Sequence, residues 1–352
     1  MRIMLAVIIS LFSSGVASAI EEESSPLLAA IQVTETLIIP IAQLSEGVWK
    51  PLSFASDKVS MEFKPRADKP WKYENNIAML SQLTVNGIAG SDLKSWYYAG
   101  SNTPLRMSHF IQFGGEFAGH DNDQCYSGWG MAIEGRSGDP DLGFWTEYRQ
   151  KLLFSRQVDS DAFRENKSEQ IGQRVIAFLS PAIEASERRF IREGIERCDA
   201  LNGSGAIADR SGSVTVYCSA IRQRPELLKQ MRPEVQIKVA KAGELSLYYV
   251  ALEKVYFVEG GSGNPDVTDA QAWFLEKDGS LSLISRLITM TDVNHKDNAT
   301  RVRPIAVATV EGRTFVFSLD YGMELHAWAI REMADGKLKV LSGELEDGYQ
   351  KW

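Results

Sequence analysis

Alternation of apolar and polar residues dominates the second half of the chain. From Val235 onward, short runs rich in Val, Ile, Leu, Tyr and Phe are separated by Gly, Asp and Asn. Successive residues of a strand point to opposite faces, so a period of two is typical of half-buried strands. The pattern predicts continuous antiparallel β structure in this half.

The clearest local signal is a hairpin that occurs twice. Ala272-Trp273 is followed by Asp278-Gly279 and an alternating run, and Ala327-Trp328 is followed by Asp335-Gly336 and a similar run. Asp-Gly favours the type I′ turn, in which both central residues have positive φ. We therefore expect each copy to form two antiparallel strands joined by a tight turn.

Each copy belongs to a larger unit. Further turns are predicted upstream of the two copies, at Glu253-Lys254 and at Glu311-Gly312. With the strands on either side of these turns, each unit has about four strands. Four strands per unit is also the pattern of propeller blades. No matching unit precedes Ser211, and a helical stretch would interrupt a ring. We favour a sandwich-like meander, with a partial or complete β-propeller as the alternative.

The segment 159–201 has helical spacing and is predicted to form two helices. Asp159 or Ser160 is a candidate N-cap for the first, which runs toward Leu179. Ser180-Pro181 predicts the start of the second, because proline suits the first position of a helix. This segment is the α part of an otherwise β-rich chain.

The N-terminal half is predicted to be β-rich, with long loops. Leu27 is interpreted as the start of a helix that gives way to an extended run, and strand-like stretches follow at 48–54, 107–113 and 144–154. The fold class is α+β and predominantly antiparallel β. Its regions are a signal peptide at 1–19, a β-rich region at 20–158, a helical segment at 159–233 and an antiparallel β region at 234–352.

The first residues have the pattern of a secretory signal peptide. Arg2 precedes an apolar run from Leu5 to Phe12, and Ala17-Ser18-Ala19 follows. We predict cleavage after Ala19 and a secreted or periplasmic location. The apolar run is shorter than the roughly 20 residues of a membrane-spanning helix, so we expect no membrane span.

Charge and motifs narrow the classes of partner. The formal net charge is −8, which disfavours nucleic acid and anionic membranes. We find neither a Walker motif nor a glycine-rich dinucleotide fingerprint, so we expect no nucleotide and no other cofactor. A protein or saccharide partner is left open.

Three cysteines remain in a chain that is predicted to reach an oxidising compartment. Cys198 falls on the apolar face of a predicted helix and Cys218 on the apolar face of a predicted strand. We predict a Cys198–Cys218 disulfide, which would stabilise the fold by about 3 kcal/mol. The state of Cys125 is left open.

Candidate site residues cluster in glycine-rich, aromatic loops between residues 96 and 148. Tyr126, Trp129 and Trp145 are the candidate binding platform. If the site were catalytic, carboxylates beside aromatic rings would suit saccharide hydrolysis. The candidate catalytic acids are Glu116, Asp121 and Glu134, and the candidate metal ligands are His120, Asp121 and Asp123.

Two functions follow from these residues. The first is an exported, non-catalytic module that binds a macromolecule, as an inhibitor, an assembly factor or a surface factor would. It rests on the lack of a strong catalytic motif, and its surface would be the loops of 114–143. The alternative is a hydrolase of an extracellular or envelope saccharide polymer, with or without a metal.

Overall fold

The structure is mostly β, with antiparallel sheets and one long helix among the residues that it describes. It is a computed structural model. It describes residues 26–32, 36–52, 76–79, 84–85, 88–117, 124–135, 151–203, 222, 233–256, 266–292, 301–321 and 326–342. For residues 111–117 and 124–129 we describe the backbone alone.

The N-terminal strands form a closed six-stranded barrel. The strands of this half are β1 (Leu27–Gln32), β2 (Leu37–Ser45), β3 (Val48–Pro51), β4 (Asn76–Met79), β5 (Thr84–Val85), β6 (Ile88–Ala89), β7 (Ser95–Tyr98), β8 (Pro104–Phe117), β9 (Gln124–Ile133) and β10 (Lys151–Phe154). The ring runs β1-β10-β7-β8-β9-β2 and closes where β2 pairs with β1. Trp96, Phe110 and Leu153 are buried in its interior cluster, so the barrel encloses a packed core.

Strand β1 is buried on both faces. Leu28 and Ala30 belong to the interior cluster of the barrel, whereas Leu27 and Ala29 belong to a second cluster outside it. The sequence therefore shows a continuous apolar run without alternation. The prediction of a helix starting at Leu27 is wrong for this reason.

The second half of the chain forms two five-stranded meander sheets. Their strands are β11 (Asp159–Ala162), β12 (Arg164–Glu165), β13 (Glu234–Ala242), β14 (Leu245–Tyr256), β15 (Asp266–Lys277), β16 (Ser280–Asp292), β17 (Arg301–Val310), β18 (Arg313–Tyr321), β19 (His326–Ala334) and β20 (Lys337–Ser342). We call β11-β17-β18-β19-β20 the inner sheet and β12-β13-β14-β15-β16 the outer sheet.

The barrel, the inner sheet, the outer sheet and the helix are stacked as successive layers. Phe317 of the inner sheet packs edge-on against Trp49 of the barrel half, with ring centroids 5.3 Å apart. Val316, on the opposite face of the same strand, shares a cluster with Trp273 of the outer sheet. The other face of the outer sheet, which includes Phe274, packs against the helix.

The two meanders face the same way along the stack. Leu247 and Tyr249 follow a tight turn on β14 and face the inner sheet, and Phe315 and Phe317 follow a tight turn on β18 and face the barrel. The predicted internal repeat is therefore two sheets stacked in the same sense. This arrangement is sandwich-like, and the described residues do not confirm a propeller.

The repeated turns have the predicted geometry. Asp278 and Gly279 have φ values of 51° and 73°, and Asp335 and Gly336 have 51° and 68°. Positive φ at both central residues defines the type I′ turn, so both hairpins are confirmed. Each has a β-bulge at the same distance from its turn, at Ile284 in one copy and Leu341 in the other.

A single helix, α1 (Glu169–Gly203), replaces the two that were predicted. Pro181 lies inside it, and Ser180 Oγ donates to the Ile176 carbonyl oxygen at 2.8 Å instead of capping a second helix. An apolar stripe at every fourth position continues through the proline and packs on the outer sheet. This burial outweighs the missing backbone hydrogen bond. The stripe is Ile171, Val175, Leu179 and Ile183.

Two further local predictions are wrong. Asp159 lies on β11, not at a helix cap, and it pairs with Thr309 of the inner sheet. Glu253-Lys254 is not a turn, because β14 continues through both residues to Tyr256. In each case the deciding contact is distant in sequence.

No helix among the described residues is long and apolar enough to cross a membrane.

Candidate interaction surface

The outer part of the β8–β9 hairpin extends past the barrel. In the inner part of this hairpin, β8 pairs with β7 and β4, and β9 pairs with β2 at Met131 and Ala132. From the Phe113–Gly128 pair to the Phe117–Gln124 pair, β8 and β9 pair only with each other among the described strands. We call 113–117 with 124–128 the arm. It is about 17 Å long at 3.4 Å per residue.

A close approach of two backbones marks the base of the arm. A Cβ atom on Gly130 of β9 would lie 2.7 Å from the Ile38 carbonyl oxygen of β2. Only glycine fits there without displacing the neighbouring strand. Gly130 thus lets β2 cross β9 and fixes where the barrel ends and the arm begins.

The arm holds several of the predicted site residues. Its ladder pairs Glu116 with Cys125 and Tyr126 with Gly115, and Trp129 pairs with Gln112 just below it. The predicted residues His120, Asp121, Asp123 and Trp145 lie outside the described residues, so their roles stay predictions. Tyr126 and Trp129, two of the predicted binding residues, therefore lie on one hairpin, within the arm and just below it.

Glu116 and Glu134 lie at opposite ends of this hairpin. Glu116 is opposite Cys125 near the outer end, and Glu134 follows β9 at the barrel end, where its backbone N–H donates to the Arg106 carbonyl oxygen at 2.8 Å. About 30 Å of strand separates the two positions. Glycosidase carboxylates are about 5 to 9.5 Å apart, so these two do not form such a pair.

The carboxylates that are buried or partly buried between the layers are already bound. Wherever the structure describes the side chain, each of them accepts a hydrogen bond or forms an ion pair within the chain. These residues are Asp161, Glu187, Glu253, Asp269, Glu276, Asp320 and Glu332. They hold sheets and helix together, which is a structural role.

Charged and polar side chains line one end of the contact between the two meander sheets. Arg301 lies 3.2 Å from Asp269 and 3.5 Å from Glu253. Gln271 Oε1 accepts from the Tyr249 hydroxyl and from the Val302 backbone N–H, each at 3.0 Å. The pairing of these groups joins the inner and outer sheets.

A polar network at the start of α1 fixes the helix on the outer sheet. Arg174 donates to Glu276 Oε1 at 3.0 Å, and the Tyr248 hydroxyl donates to Glu276 Oε2 at 2.7 Å. Burial first, and then this hydrogen bond to a carboxylate, raise the pKa of Tyr248 to about 12. The phenol therefore stays neutral and donates at all physiological pH values.

Of the predicted Cys198–Cys218 disulfide, the structure describes only Cys198. Cys198 is fully buried in α1 and is disulfide-bonded. Cys218 lies outside the described residues, and of Cys125 we describe the backbone alone. The Cys198–Cys218 pairing therefore stays a prediction.

Metal ligation has no support from the described residues, among which no group of three or more His, Cys, Asp or Glu side chains is arranged to hold a metal ion.

The arm was missed by sequence reasoning, which treated 114–143 as loops. The available signal was the set of glycines within a strand-forming stretch: Gly114, Gly115 and Gly128. Glycine within a strand often marks a place where another backbone or a ligand approaches closely.

Compared with protein-family models, with curated proteins and with solved structures, the chain shows no significant match.

Proposed function

We propose that this chain is an exported, non-catalytic protein that binds another protein through the β8–β9 arm. The observation that carries the proposal is the continuation of the β8–β9 ladder past the last described strands that pair with it. A two-stranded ribbon is at best marginally stable alone in water. Contact with a partner would stabilise such a ribbon by burying part of its surface.

The composition of the arm supports recognition of a protein backbone. Gly114 and Gly115 are adjacent on β8, and Gly128 lies on the facing strand. Glycine contributes no side chain to a sheet, and it leaves room for another backbone. Tyr126, in the middle of the arm, is of a residue type enriched at protein interfaces.

The rest of the described chain has the character of a scaffold. Packed apolar clusters separate the layers, and the carboxylates between them are engaged in ion pairs and hydrogen bonds. The saccharide hydrolase alternative gains no matched pair from Glu116 and Glu134. We therefore place binding ahead of hydrolysis.

Shortening the arm tests the proposal. In the armless variant, residues 113–128 are replaced by Asn-Gly, so that Gln112 and Trp129 stay paired across a two-residue turn. Both proteins are used to capture cross-linked partners from the medium and envelope of producing cells. We expect at least one protein to be recovered with the full chain and about tenfold less of it with the armless variant, a loss of about 1.4 kcal/mol.

The matched control changes a turn and leaves the arm intact. Asp335→Asn keeps the type I′ preference of the β19–β20 hairpin and should leave capture and thermal unfolding unchanged. Equal recovery with the full chain and a folded armless variant would contradict the proposal. So would hydrolysis of a saccharide polymer that Glu116→Gln abolishes.

Export is part of the proposal and has its own test. The signal peptide predicted at 1–19 would leave a mature protein that begins at Ile20. Cell fractionation with N-terminal sequencing should find this chain in the medium or periplasm. An uncleaved chain confined to the cytoplasm would contradict export.

A further inference from the structure

Three strand edges lie side by side on one flank of the described structure. β3 ends the path of the barrel sheet, β20 ends the inner sheet and β16 ends the outer sheet, and each has a single strand neighbour among the described residues. β20 lies against both β3 and β16 in the stack. We call these three strands the edge column.

Exposed apolar side chains concentrate on the edge column. Among the described residues four large hydrophobic side chains are exposed, and three of them are on these strands: Val48 at 49%, Leu287 at 47% and Val340 at 50%. The fourth, Phe178, lies on α1 and packs edge-on against Phe274. Exposed apolar residues beside unpaired strand edges indicate an interaction surface.

β20 has one apolar side, toward the outer sheet. Leu338 packs against the cluster between the inner and outer sheets. Residues two apart on a strand share a face, so Val340 lies on this side as well. A strand added along β20 would place alternate side chains next to Val340.

The opposite side of β20 is basic and faces the barrel. Lys339 lies opposite Glu332 on the neighbouring strand β19. The Glu332 carboxylate accepts a hydrogen bond from Arg313, which also donates to the Gly47 carbonyl oxygen in the β2–β3 turn. Alternation places Lys337 on the same side as Lys339. Lys50, on β3, adds a third exposed ammonium group to this flank, and it lies 3.6 Å from the exposed Glu46 carboxylate in the β2–β3 turn.

The charge of this flank differs from that of the whole chain. The edge column contains Lys50, Arg286, Lys337 and Lys339 and a single acid, Asp292, although the net charge of the chain is −8. Lysines on an edge discourage pairing with a like strand. A segment of opposite charge removes that barrier and adds attraction.

We propose that the edge column binds an extended acidic segment of a partner protein, which adds a strand to β20. The backbone N–H and C=O groups along the outer edge of β20 would pair with the segment, as in other cases of strand addition. Its acidic side chains lie beside Lys337 and Lys339, and its apolar side chains lie beside Val340. The recognised sequence therefore alternates acidic and apolar residues.

This surface is separate from the arm, and the inference does not depend on the function proposed for the arm. Lipid headgroups could supply negative charge but could not pair with a strand edge. The backbone edge and the alternation of basic and apolar sides together favour a polypeptide.

A short labelled peptide tests the inference on the full-length protein. The probe is a fluorescein-labelled peptide of alternating Glu and Val with six residues, the length of β20. Fluorescence anisotropy should show binding that weakens as salt is raised, because salt screens exposed charges. A peptide of the same composition with all Glu residues in one block should bind at least about tenfold more weakly, a difference of about 1.4 kcal/mol.

Substitutions locate the binding. Lys337→Glu with Lys339→Glu should weaken the Glu/Val peptide about tenfold or more, and Val340→Asp should do the same through the apolar side. Lys167→Glu changes an exposed lysine between β12 and α1 and should leave the affinity unchanged. All these residues are exposed, so the variants should keep the fold.

Three results would overturn the inference. The first is equal affinity for a peptide of alternating Lys and Val. The second is binding that the Lys337, Lys339 and Val340 variants leave unchanged. The third is dimerisation of the protein without peptide that Lys339→Glu abolishes, which would assign the edge column to a second copy of this chain.

Discussion

Glu187 of α1 and Lys254 of β14 form an ion pair that is sealed between the helix and the outer sheet. Lys254 Nζ lies 2.9 Å from one carboxylate oxygen of Glu187 and 3.2 Å from the other, and Thr268 donates to the same carboxylate at 3.1 Å. Glu187 follows Ile183 at the same four-residue spacing, and it is the one charged residue among the buried side chains of α1. The pair therefore fixes the position of α1 along the sheet.

Breaking this pair on one side should cost much more than replacing both sides. Glu187→Gln leaves a buried ammonium without its partner and should lower the free energy of unfolding by about 3 kcal/mol or more. The double variant Glu187→Leu with Lys254→Met should stay within about 1 kcal/mol of the natural chain, because no buried charge remains. Urea unfolding measures both.

An exposed ion pair on the same helix provides the control for this prediction. Glu184 and Arg188 are 3.4 Å apart and mostly exposed, so Glu184→Gln should change stability by less than about 0.5 kcal/mol. If Glu187→Gln changes stability as little as Glu184→Gln does, the Glu187–Lys254 pair does not position the helix.

Gly130 should be intolerant of a side chain. Gly130→Ala places a Cβ atom 2.7 Å from the Ile38 carbonyl oxygen and should destabilise the barrel by about 1 to 3 kcal/mol. Gly172→Ala, on α1, meets its nearest atom at 4.0 Å and should stabilise the protein by up to about 1 kcal/mol. Thermal unfolding of the two variants should shift in opposite directions. A shift in the same direction would argue against the β2–β9 crossing.

Glu332 should contribute to stability in a pH-dependent way. The hydrogen bond from Arg313 lowers the pKa of Glu332 below its ordinary value of 4.5. A carboxyl group with a lowered pKa in the folded state stabilises the fold above the unfolded pKa, and the contribution is lost as pH falls through the folded pKa. Glu332→Gln should therefore be less stable than the natural chain at pH 7, and the difference should shrink below about pH 4.5.

The matched variant for this pH prediction is Glu311→Gln, at an exposed turn beside Arg313. Its stability relative to the natural chain should vary less between neutral and acidic pH. A Glu332→Gln profile parallel to that of the natural chain throughout would show that this hydrogen bond does not form in solution.

Tyr248 should ionise later than an ordinary tyrosine. Burial and the hydrogen bond to Glu276 raise the pKa of Tyr248 from 10.0 to about 12. The neutral phenol therefore contributes stability that is fully present below pH 10 and is lost as pH rises through 12. In an ultraviolet titration, Tyr248→Phe should remove only a late-ionising phenol. If Tyr248→Phe instead removed absorbance change near pH 10, Tyr248 would ionise like an ordinary tyrosine. That result would contradict the network of Tyr248, Glu276 and Arg174.

Much of the fold could be predicted from local patterns. The turns at Asp278-Gly279 and Asp335-Gly336 are fixed by the residues within them, and alternation located most strands of the two meanders. Leu27 was misread because β1 is buried on both faces, which removes the alternation that distinguishes a strand. The second helix predicted to start at Ser180-Pro181 is wrong because the packing of α1 on the outer sheet outweighs the tendency of proline to break a helix.

The remaining features depend on contacts that have no local signature. Glu253 and Lys254 look like turn residues in isolation, but their partners Arg301 and Glu187 lie 48 and 67 residues away. The barrel also requires β1 to pair with β10, and paired residues such as Ala29 and Phe154 are more than a hundred positions apart in sequence. The candidate residues Glu116 and Glu134 are close in sequence, yet the hairpin sets them at opposite ends.

The most direct measurement of the central claim is site-specific photo-crosslinking from the arm. Tyr126 is replaced by benzoylphenylalanine, and Lys167 is replaced in the same way as a control outside the arm. Irradiation of producing cells should yield a discrete crosslinked protein from position 126 and none from position 167. Identical products from the two positions, or none from position 126 in a folded and exported chain, would contradict recognition by the arm.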